Sequence, residues 1–245
     1  MITTVFADNG GVVIPNFGGG GEQSCVRRNP AFCWDWFSSH WSTVFQPALG
    51  QHIVLTLIAI GIGFVISTAV ALVAHRYRLI EAPFGYFAAF LYTIPSLALF
   101  QLLVPVTGIT RTTVEIALVS YTLLIMFRNT MTGLREVPEE VREAARGMGL
   151  TQWQILWKVE LPLAVPAIIA GLRIATVTVI SLATVAAFVV NQGLGAPIFA
   201  AIQTSFNTEF IAAGVLAIAL ALVADVLLLG VQRLVTPWAR TRRAT

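Results

Sequence analysis

Long hydrophobic segments alternate with short polar stretches along most of this chain. Each segment supplies the roughly 20 apolar residues that a helix needs to cross about 30 Å of hydrocarbon. The pattern therefore predicts an all-α integral membrane protein with five transmembrane helices. The predicted spans are residues 51–74, 84–106, 112–132, 163–190 and 210–232.

The composition agrees with a membrane protein and excludes several other classes. Of the 245 residues 57% are hydrophobic and 11% charged, whereas a soluble domain carries about a quarter charged residues. The net charge of +3 does not indicate nucleic acid, because the basic residues flank the spans. No Gly-x4-Gly-Lys-Ser/Thr motif occurs, so the chain is not its own P-loop ATPase. His40, His52 and His75 have no metal-ligand spacing, and we expect no bound cofactor and no catalytic residue.

The distribution of basic residues predicts the orientation in the membrane, because positive charge accumulates on the cytoplasmic side. Eleven lysines and arginines fall after span 1, around the loop between spans 3 and 4, and after span 5, against three on the opposite side. We therefore expect the amino terminus outside and the carboxyl terminus in the cytoplasm. The eleven are Arg76, Arg78, Arg128, Arg135, Arg142, Arg146, Lys158, Arg233, Arg240, Arg242 and Arg243; the three are Arg27, Arg28 and Arg111.

Three regions follow from this pattern. Residues 1–50 form an extracytoplasmic arm with an aromatic segment suited to the membrane interface. Residues 51–236 form the transmembrane domain, and residues 237–245 a basic cytoplasmic tail. Cys25 and Cys33, the chain's two cysteines, lie in the arm, where a disulfide and two free thiols both remain open.

Small residues and two charges indicate how the spans pack. Small residues recur every fourth position at Ala59, Gly63, Ser67 and Ala71, a spacing that lets helices approach closely in lipid. Arg173 and Asp225 lie roughly 10 and 12 Å from the cytoplasmic ends of their spans, at about 1.5 Å per residue. Because an unpaired intramembrane charge is costly, we expect these two to pair. Snorkelling of Arg173 to the headgroups is the alternative.

The second span contains a proline that we expect to bend it. Tyr92, Pro95 and Ser96 lie together here, and Pro95 should kink the helix and free a backbone carbonyl at membrane depth. Irregular backbone at this depth faces protein or a watery path. The three residues are candidates for a translocation path, with a simple structural kink as the alternative. The nearby rings of Phe87, Phe90 and Tyr92 offer cation–π contacts, or membrane packing.

A charge-rich loop, residues 136–162, separates the third and fourth spans. Pro138 and the acids after it suit a helix start, and Gly149 a helix end. Thr151 and Gln154 form a capping box for a second short helix, which Leu161 and Pro162 should end. We expect a helix-turn-helix outside the membrane with small residues on its contact face.

The spacing within this loop resembles a known signature. Glu143-Ala144-Ala145, Gly149, Val159 and Leu161-Pro162 match the EAA motif of ABC importer permeases, with Val159 in place of the usual isoleucine. The resemblance runs from about His52 to Arg233. It is closest to permeases for glycine betaine, carnitine, choline and proline betaine, through Tyr92–Phe100, Arg128–Thr130 and Gly193–Gly195. Asn191-Gln192 and the long arm depart from that group.

The resemblance implies a type I importer permease of a bacterial cell membrane, in which residues 136–162 are the coupling loop. Its partners would be a cytoplasmic ABC ATPase dimer that uses the ATP, a second permease, identical or homologous, and an extracytoplasmic solute-binding protein. An amino acid or other small polar solute is the alternative cargo. A secondary carrier or channel is the alternative class, but it would place more ionisable groups along its spans.

Overall fold

The computed structural model describes residues 22–237, and within them it is built from helices. Residues 1–21, which include much of the predicted arm, and most of the predicted tail lie outside the described residues. The helices are α1 (Glu22–Arg28), α2 (Trp34–Ser39), α3 (Gln46–Arg76), α4 (Arg78–Thr93), α5 (Ser96–Thr107), α6 (Arg111–Arg135), α7 (Glu139–Gly147), α8 (Gln152–Ile155), α9 (Leu161–Ala186), α10 (Gly195–Thr204) and α11 (Asn207–Val235). Two π-helical turns, Trp41–Phe45 and Leu156–Glu160, join α2 to α3 and α8 to α9.

Four long apolar helices and one bent pair account for the five predicted spans. Helices long and apolar enough to cross a membrane cover Trp41–Arg76, Arg111–Arg135, Gln152–Ala186 and Asn207–Val235. The fifth is the pair α4 and α5. We call the end of the bundle that carries α7 and α8 the loop end, and the opposite end, which carries α1 and α2, the arm end.

Helix α6 lies at the centre of the bundle, between α3 and α9, while α11 packs against α9 and α10. Apolar side chains from α3, α5, α6 and α9 form the largest core cluster. Small residues set the closest approaches. The row Ala59, Gly63, Ser67 and Ala71 is buried as predicted, and a Cβ at Gly63 would overlap the side chain of Thr122 on α6. These small residues therefore let α3 and α6 approach closely.

The second span differs from its prediction. The sequence predicts one kinked helix over 84–106, but the structure has two helices bent by 101° between Thr93 and Ser96. Ile94 and Pro95 both have extended backbone, with ψ of 128° and 136°. An isolated proline only kinks a helix; here two consecutive extended residues end one helix and begin another. The carbonyl of Ile94 accepts a hydrogen bond from the Tyr121 hydroxyl at 2.5 Å, which satisfies the backbone at the break.

The fourth span also differs at its start. Leu161 and Pro162 do not end the short second helix of the loop, because the helix continues from Gln152 to Ala186 without a break. The π-helical turn Leu156–Glu160 lies immediately before Pro162. Proline has no backbone N–H to donate to the carbonyl four residues before it, and its ring clashes with that carbonyl. In a π turn the backbone bonds run over five residues instead of four, which accommodates Pro162 within the helix. The loop is thus joined rigidly to the fourth span.

Helix α10 was missed by the sequence analysis, which treated residues 191–209 as a connection. It is a ten-residue helix between the fourth and fifth long helices. The apolar run from Ala196 to Ile202 was the available signal, but at this length it is too short for a span.

Candidate functional site

The turn of the charge-rich loop, residues 136–162, has the backbone geometry of a helix stop. Helix α7 ends at Gly147, and Gly149 has a φ of +80°, a region that strains side chains with a Cβ. The amide of Leu150 donates to the carbonyl of Ala145, and the amide of Gly149 donates to that of Arg146. This pair of bonds is a Schellman motif. The predicted helix end at Gly149 is therefore present.

The second half of the loop begins as the sequence predicts. The Thr151 hydroxyl accepts from the amide of Gln154, and the Gln154 side chain accepts from the amide of Thr151 at 2.8 Å. The two bonds complete a capping box at the start of α8.

The motif residues of the loop fall on two faces. Ala145 is buried against the rest of the protein, while Glu143, Ala144 and Gly149 are exposed. Val159, Leu161 and Pro162 are half-buried within the turn and start of α9. The apolar side chains of Val141, Met148, Trp153 and Trp157 are also exposed, Met148 by 73%. An exposed apolar and small-residue surface on a charged loop is typical of a site that contacts another protein.

Charged side chains attach the loop to the ends of the spans. Glu160, which is 7% exposed, lies between α3 and α7. One carboxylate oxygen is 3.1 Å from Nε2 of His75, and the other is 2.7 Å from Nε of Arg142. Arg142 also donates to the backbone carbonyl of Leu134 at 2.7 Å. The sequence analysis missed this acid because nothing in its spacing distinguishes it from other loop carboxylates.

Further pairs surround this acid. Glu139 accepts hydrogen bonds from Arg142 and Arg146, which lower the pKa of its carboxylate below the ordinary value. Arg76 donates to the side chain of Gln152, and Arg135 pairs with Glu81. Several charged pairs therefore join the loop to the ends of the spans, beside an apolar cluster of Leu134, Leu156 and Ala164.

Within the membrane-spanning helices the structure brings Arg173 and Asp225 together. The guanidinium contacts the carboxylate through two parallel hydrogen bonds, of 2.8 Å from Nε and 2.9 Å from Nη2. Gln232 lies beside the pair and donates to the carbonyl of Pro166 at 3.1 Å. A bidentate pair of this geometry joins α9 directly to α11.

The three candidate path residues lie at the break between α4 and α5. Tyr92 and Pro95 are exposed and Ser96 is half-buried. The Tyr92 ring packs edge-on against Tyr121, with 5.9 Å between centroids. Their role in a translocation path stays a prediction.

The arm end is held by a disulfide and by uncharged hydrogen bonds. Cys25 and Cys33 are joined as a disulfide with 6.0 Å between their Cα atoms. The loop that it closes carries Asn29, whose side chain donates to the carbonyl of Ser205 and accepts from the amide of Asn207. The amide of Cys33 donates to the buried hydroxyl of Thr208. The arm thus caps the start of α11, because the residue at the N-cap, Phe206, has no side-chain hydrogen bond to the helix.

A buried histidine secures the start of α10. His52 is fully buried; its Nδ1 accepts from the amide of Leu194 at 3.2 Å, so its Nε2 carries the proton and donates to the carbonyl of Ile180. Gln51 accepts from the amide of Gly193. The spacing of residues in the sequence does not predict the hydrogen bonds of His52 or Gln51.

The chain matches known transport proteins over most of its length. A family model described as "Binding-protein-dependent transport system inner membrane component" matches residues 59–241. The Bacillus subtilis glycine betaine/carnitine/choline transport system permease protein OpuCB is 33% identical over 189 residues, 77% of this chain and 87% of that protein. The Helicobacter pylori ergothioneine transport permease/ergothioneine binding protein EgtU is 45% identical over 131 residues, 54% of this chain and 24% of that protein.

A solved structure has the same fold. A chain of the MetNI methionine ABC transporter in an inward-facing conformation superposes with a TM-score of 0.67 at 24% identity, covering 76% of this chain and 93% of that one. The predicted fold class, a multi-pass helical permease of the type I importer kind, is confirmed. This chain belongs to the family of inner membrane components of binding-protein-dependent transport systems.

Proposed function

We propose that this chain forms the translocation path of an ATP-driven importer for osmoprotectants such as glycine betaine, carnitine, choline or proline betaine. The observation that carries the proposal is the coupling loop. Its turn at Gly149 has the geometry of a fixed stop, and its exposed small and apolar residues lie at one end of the spans. The permease OpuCB, named for glycine betaine, carnitine and choline, supports the solute class.

The loop indicates where the energy of transport enters. We infer that α7 and the turn after it bind a separate cytoplasmic ABC ATPase, which hydrolyses the ATP in a dimer. No cofactor is assigned to this chain. The basic residues near the loop end favour a cytoplasmic loop end and an external arm end. A solute-binding protein would then deliver its cargo at the arm end.

A second permease, identical or homologous, would complete the path. The exposed aromatic face of α4 supports this inference, since Tyr86, Phe87 and Phe90 are 77%, 53% and 64% exposed. Closure of the ATPase dimer would push the two coupling loops together and convert an inward-open path to an outward-open one.

Ergothioneine is a second candidate solute, because the match to EgtU has the higher identity over its shorter length. Ergothioneine and glycine betaine share a trimethylammonium group and a carboxylate. The two cargoes are separated by direct competition. We expect uptake of labelled glycine betaine that excess unlabelled ergothioneine leaves unchanged if the importer serves osmoprotectants, and uptake of labelled ergothioneine that excess glycine betaine leaves unchanged if ergothioneine is the cargo.

The proposal is tested by uptake of labelled glycine betaine at high salt, in a host that lacks its own compatible-solute importers. The host expresses this chain with its ATPase and binding protein. We expect uptake that needs all components and falls below a tenth in Gly149→Val, because a β-branched residue cannot adopt a φ of +80° without strain.

Two control variants sharpen the result. Gly149→Asn tolerates the left-handed region and should retain part of the uptake. Gly230→Val makes the same change where a Cβ meets nothing within 4 Å, and should leave uptake intact. Uptake without the ATPase, or full uptake in Gly149→Val, would contradict the coupling-loop assignment.

A further inference from the structure

One face of α6 differs from the other exposed helix faces. Positions 116, 120, 124, 128 and 132 follow at four-residue spacing along the helix and share one side; Leu124 is buried and Ser120 half-buried, while positions 128 and 132 are exposed. Three of them are polar: Ser120, Arg128 and Thr132. On α11, by contrast, the exposed side is apolar, with Val215, Ile218, Leu222 and Val226 each more than half exposed. A face that meets lipid is apolar, so the part of the α6 face that carries Arg128 and Thr132 adjoins water or protein.

Arg128 is the charged group on this face. It is exposed and lies seven residues before the end of α6, roughly 10 Å along the helix axis. Among residues 22–237 no carboxylate lies within ion-pair distance of it, in contrast to Arg173 with its bidentate partner Asp225. An ionisable group at this depth is costly in hydrocarbon and marks a functional site by default.

Arg128 lines a groove of about 330 Å³ between α4 and α6, together with Tyr86, Gly85 and Phe127. The volume is within the ~300–1,000 Å³ range of small-molecule sites. Toward the loop end the groove also contains Glu81 and Arg135, whose charges compensate each other as an ion pair. Arg128 therefore supplies the uncompensated positive charge of the groove.

The groove has the two groups that a zwitterionic solute needs. A guanidinium binds a carboxylate through parallel, charge-assisted hydrogen bonds. The ring of Tyr86, 77% exposed in the same groove, offers its face to a quaternary ammonium. We propose that Arg128 contacts the solute during translocation and binds its carboxylate, with Tyr86 beside the trimethylammonium group. The inference rests on the proposed function and adds a specificity-determining residue to it.

The proposal separates solutes that share the ammonium group but differ in the carboxylate. Glycine betaine and carnitine have a carboxylate, whereas choline has a hydroxyl. We expect Arg128→Gln to lower glycine betaine uptake, measured below saturation, at least tenfold and to leave choline uptake within twofold of wild type. Arg111→Gln removes the same charge at the other end of α6, outside the groove, and should leave both uptakes within twofold.

Other roles of Arg128 give different outcomes. If the guanidinium binds a lipid phosphate or an acid of a second permease, both uptakes fall together and the proposal is wrong. Unchanged uptake of both solutes would also overturn it, as would a wild-type importer that carries choline but no carboxylate solute. An importer that carries none of these solutes contradicts the proposed function instead.

If the importer carries carboxylate solutes but not choline, the comparison with choline is replaced by a second measurement. The chain's two cysteines are joined as a disulfide, so Arg128→Cys introduces its one free thiol. Modification with 2-aminoethyl methanethiosulfonate restores a positive charge, whereas methyl methanethiosulfonate adds none. We expect glycine betaine uptake to recover at least threefold after the first reagent and not after the second. Equal results with both reagents would overturn the proposal.

Discussion

The two ends of the bundle are held by different interactions. At the loop end, Glu160 contacts both His75 and Arg142, and Glu139 contacts Arg142 and Arg146. At the arm end, a disulfide and uncharged hydrogen bonds from Asn29 and His52 predominate. Charge pairs are screened by salt and depend on the ionisation of carboxylates and histidine, whereas uncharged hydrogen bonds and a disulfide are little affected by salt. The contacts at the end that we assign to the ATPase are therefore the ones that depend more on pH and salt.

The largest expected effect comes from the charges inside the membrane, on the loop-end half of α9 and α11. Asp225→Asn leaves the Arg173 guanidinium without its bidentate partner, and we expect a clear loss of stability, because an unpaired charge within a span is costly. Thermal unfolding of the purified protein in detergent measures it. Exchanging the two residues, Arg173→Asp with Asp225→Arg, should restore more than half of the loss. No recovery in the exchanged protein would refute a role of the pair in assembly.

The next effect concerns the buried acid of the loop end. Glu160→Gln removes the charge that faces both His75 and Arg142, and we expect a loss of about 2 kcal/mol. Uptake should fall severalfold as the loop loses its attachment to α3. Glu140→Gln, an exposed acid at the start of α7, is the control and should behave as wild type. Equal unfolding temperatures for the two variants would show that the buried contacts do not hold the loop.

A smaller effect is expected at the arm end. Asn29→Ala removes the side-chain bonds to Ser205 and Asn207, for a loss of about 1–2 kcal/mol. Amide hydrogen exchange at the start of α11 should accelerate, while exchange in α7 stays unchanged. Thr43→Ala, which removes only a bond to the nearby His40 carbonyl, is the matched control. Faster exchange in α7 would show that the two ends are not independent.

The smallest effect is the pH dependence of Glu139. Because Arg142 and Arg146 lower its pKa in the folded state, its stabilising contribution is complete above the unfolded value of about 4.5. It is lost as the pH falls from there through the folded-state pKa. The unfolding temperature of wild type should therefore be slightly higher than that of Glu139→Gln at pH 7, and the difference should shrink as the pH falls below about 4.5. A difference that grows on acidification would contradict this sign.

The parts of the structure that the sequence predicts are those governed by local rules. Hydrophobic length predicts the spans, and cap chemistry predicts the turn at Gly149 and the box at Thr151. The similar distances of Arg173 and Asp225 from the cytoplasmic ends of their spans predict that they form an ion pair, because each charge needs a partner in lipid. The coupling residues could be recognised because their spacing lies within one continuous loop.

The missed features depend on contacts between distant segments. The extended backbone at Ile94 is stabilised by Tyr121, 27 residues further on. The capping of α11 by Asn29 joins residues separated by 178 positions. The groove of Arg128 forms only when α4 lies beside α6. No periodicity or motif of one segment encodes such pairs, so they require the folded structure.

The unbroken helix from Gln152 to Ala186 has a mechanical consequence. Its 35 residues make a rod of about 50 Å, which extends well beyond about 30 Å of hydrocarbon. If the rod pivots at one end, a tilt of ~10° moves its other end by ~9 Å at this length. Near that far end, the backbone carbonyl of Thr184 packs directly against Gly195 at the start of α10. If the pivot lies near the loop end, a small displacement of the loop close to the pivot would become a large displacement beside α10, and the helix would act as a lever.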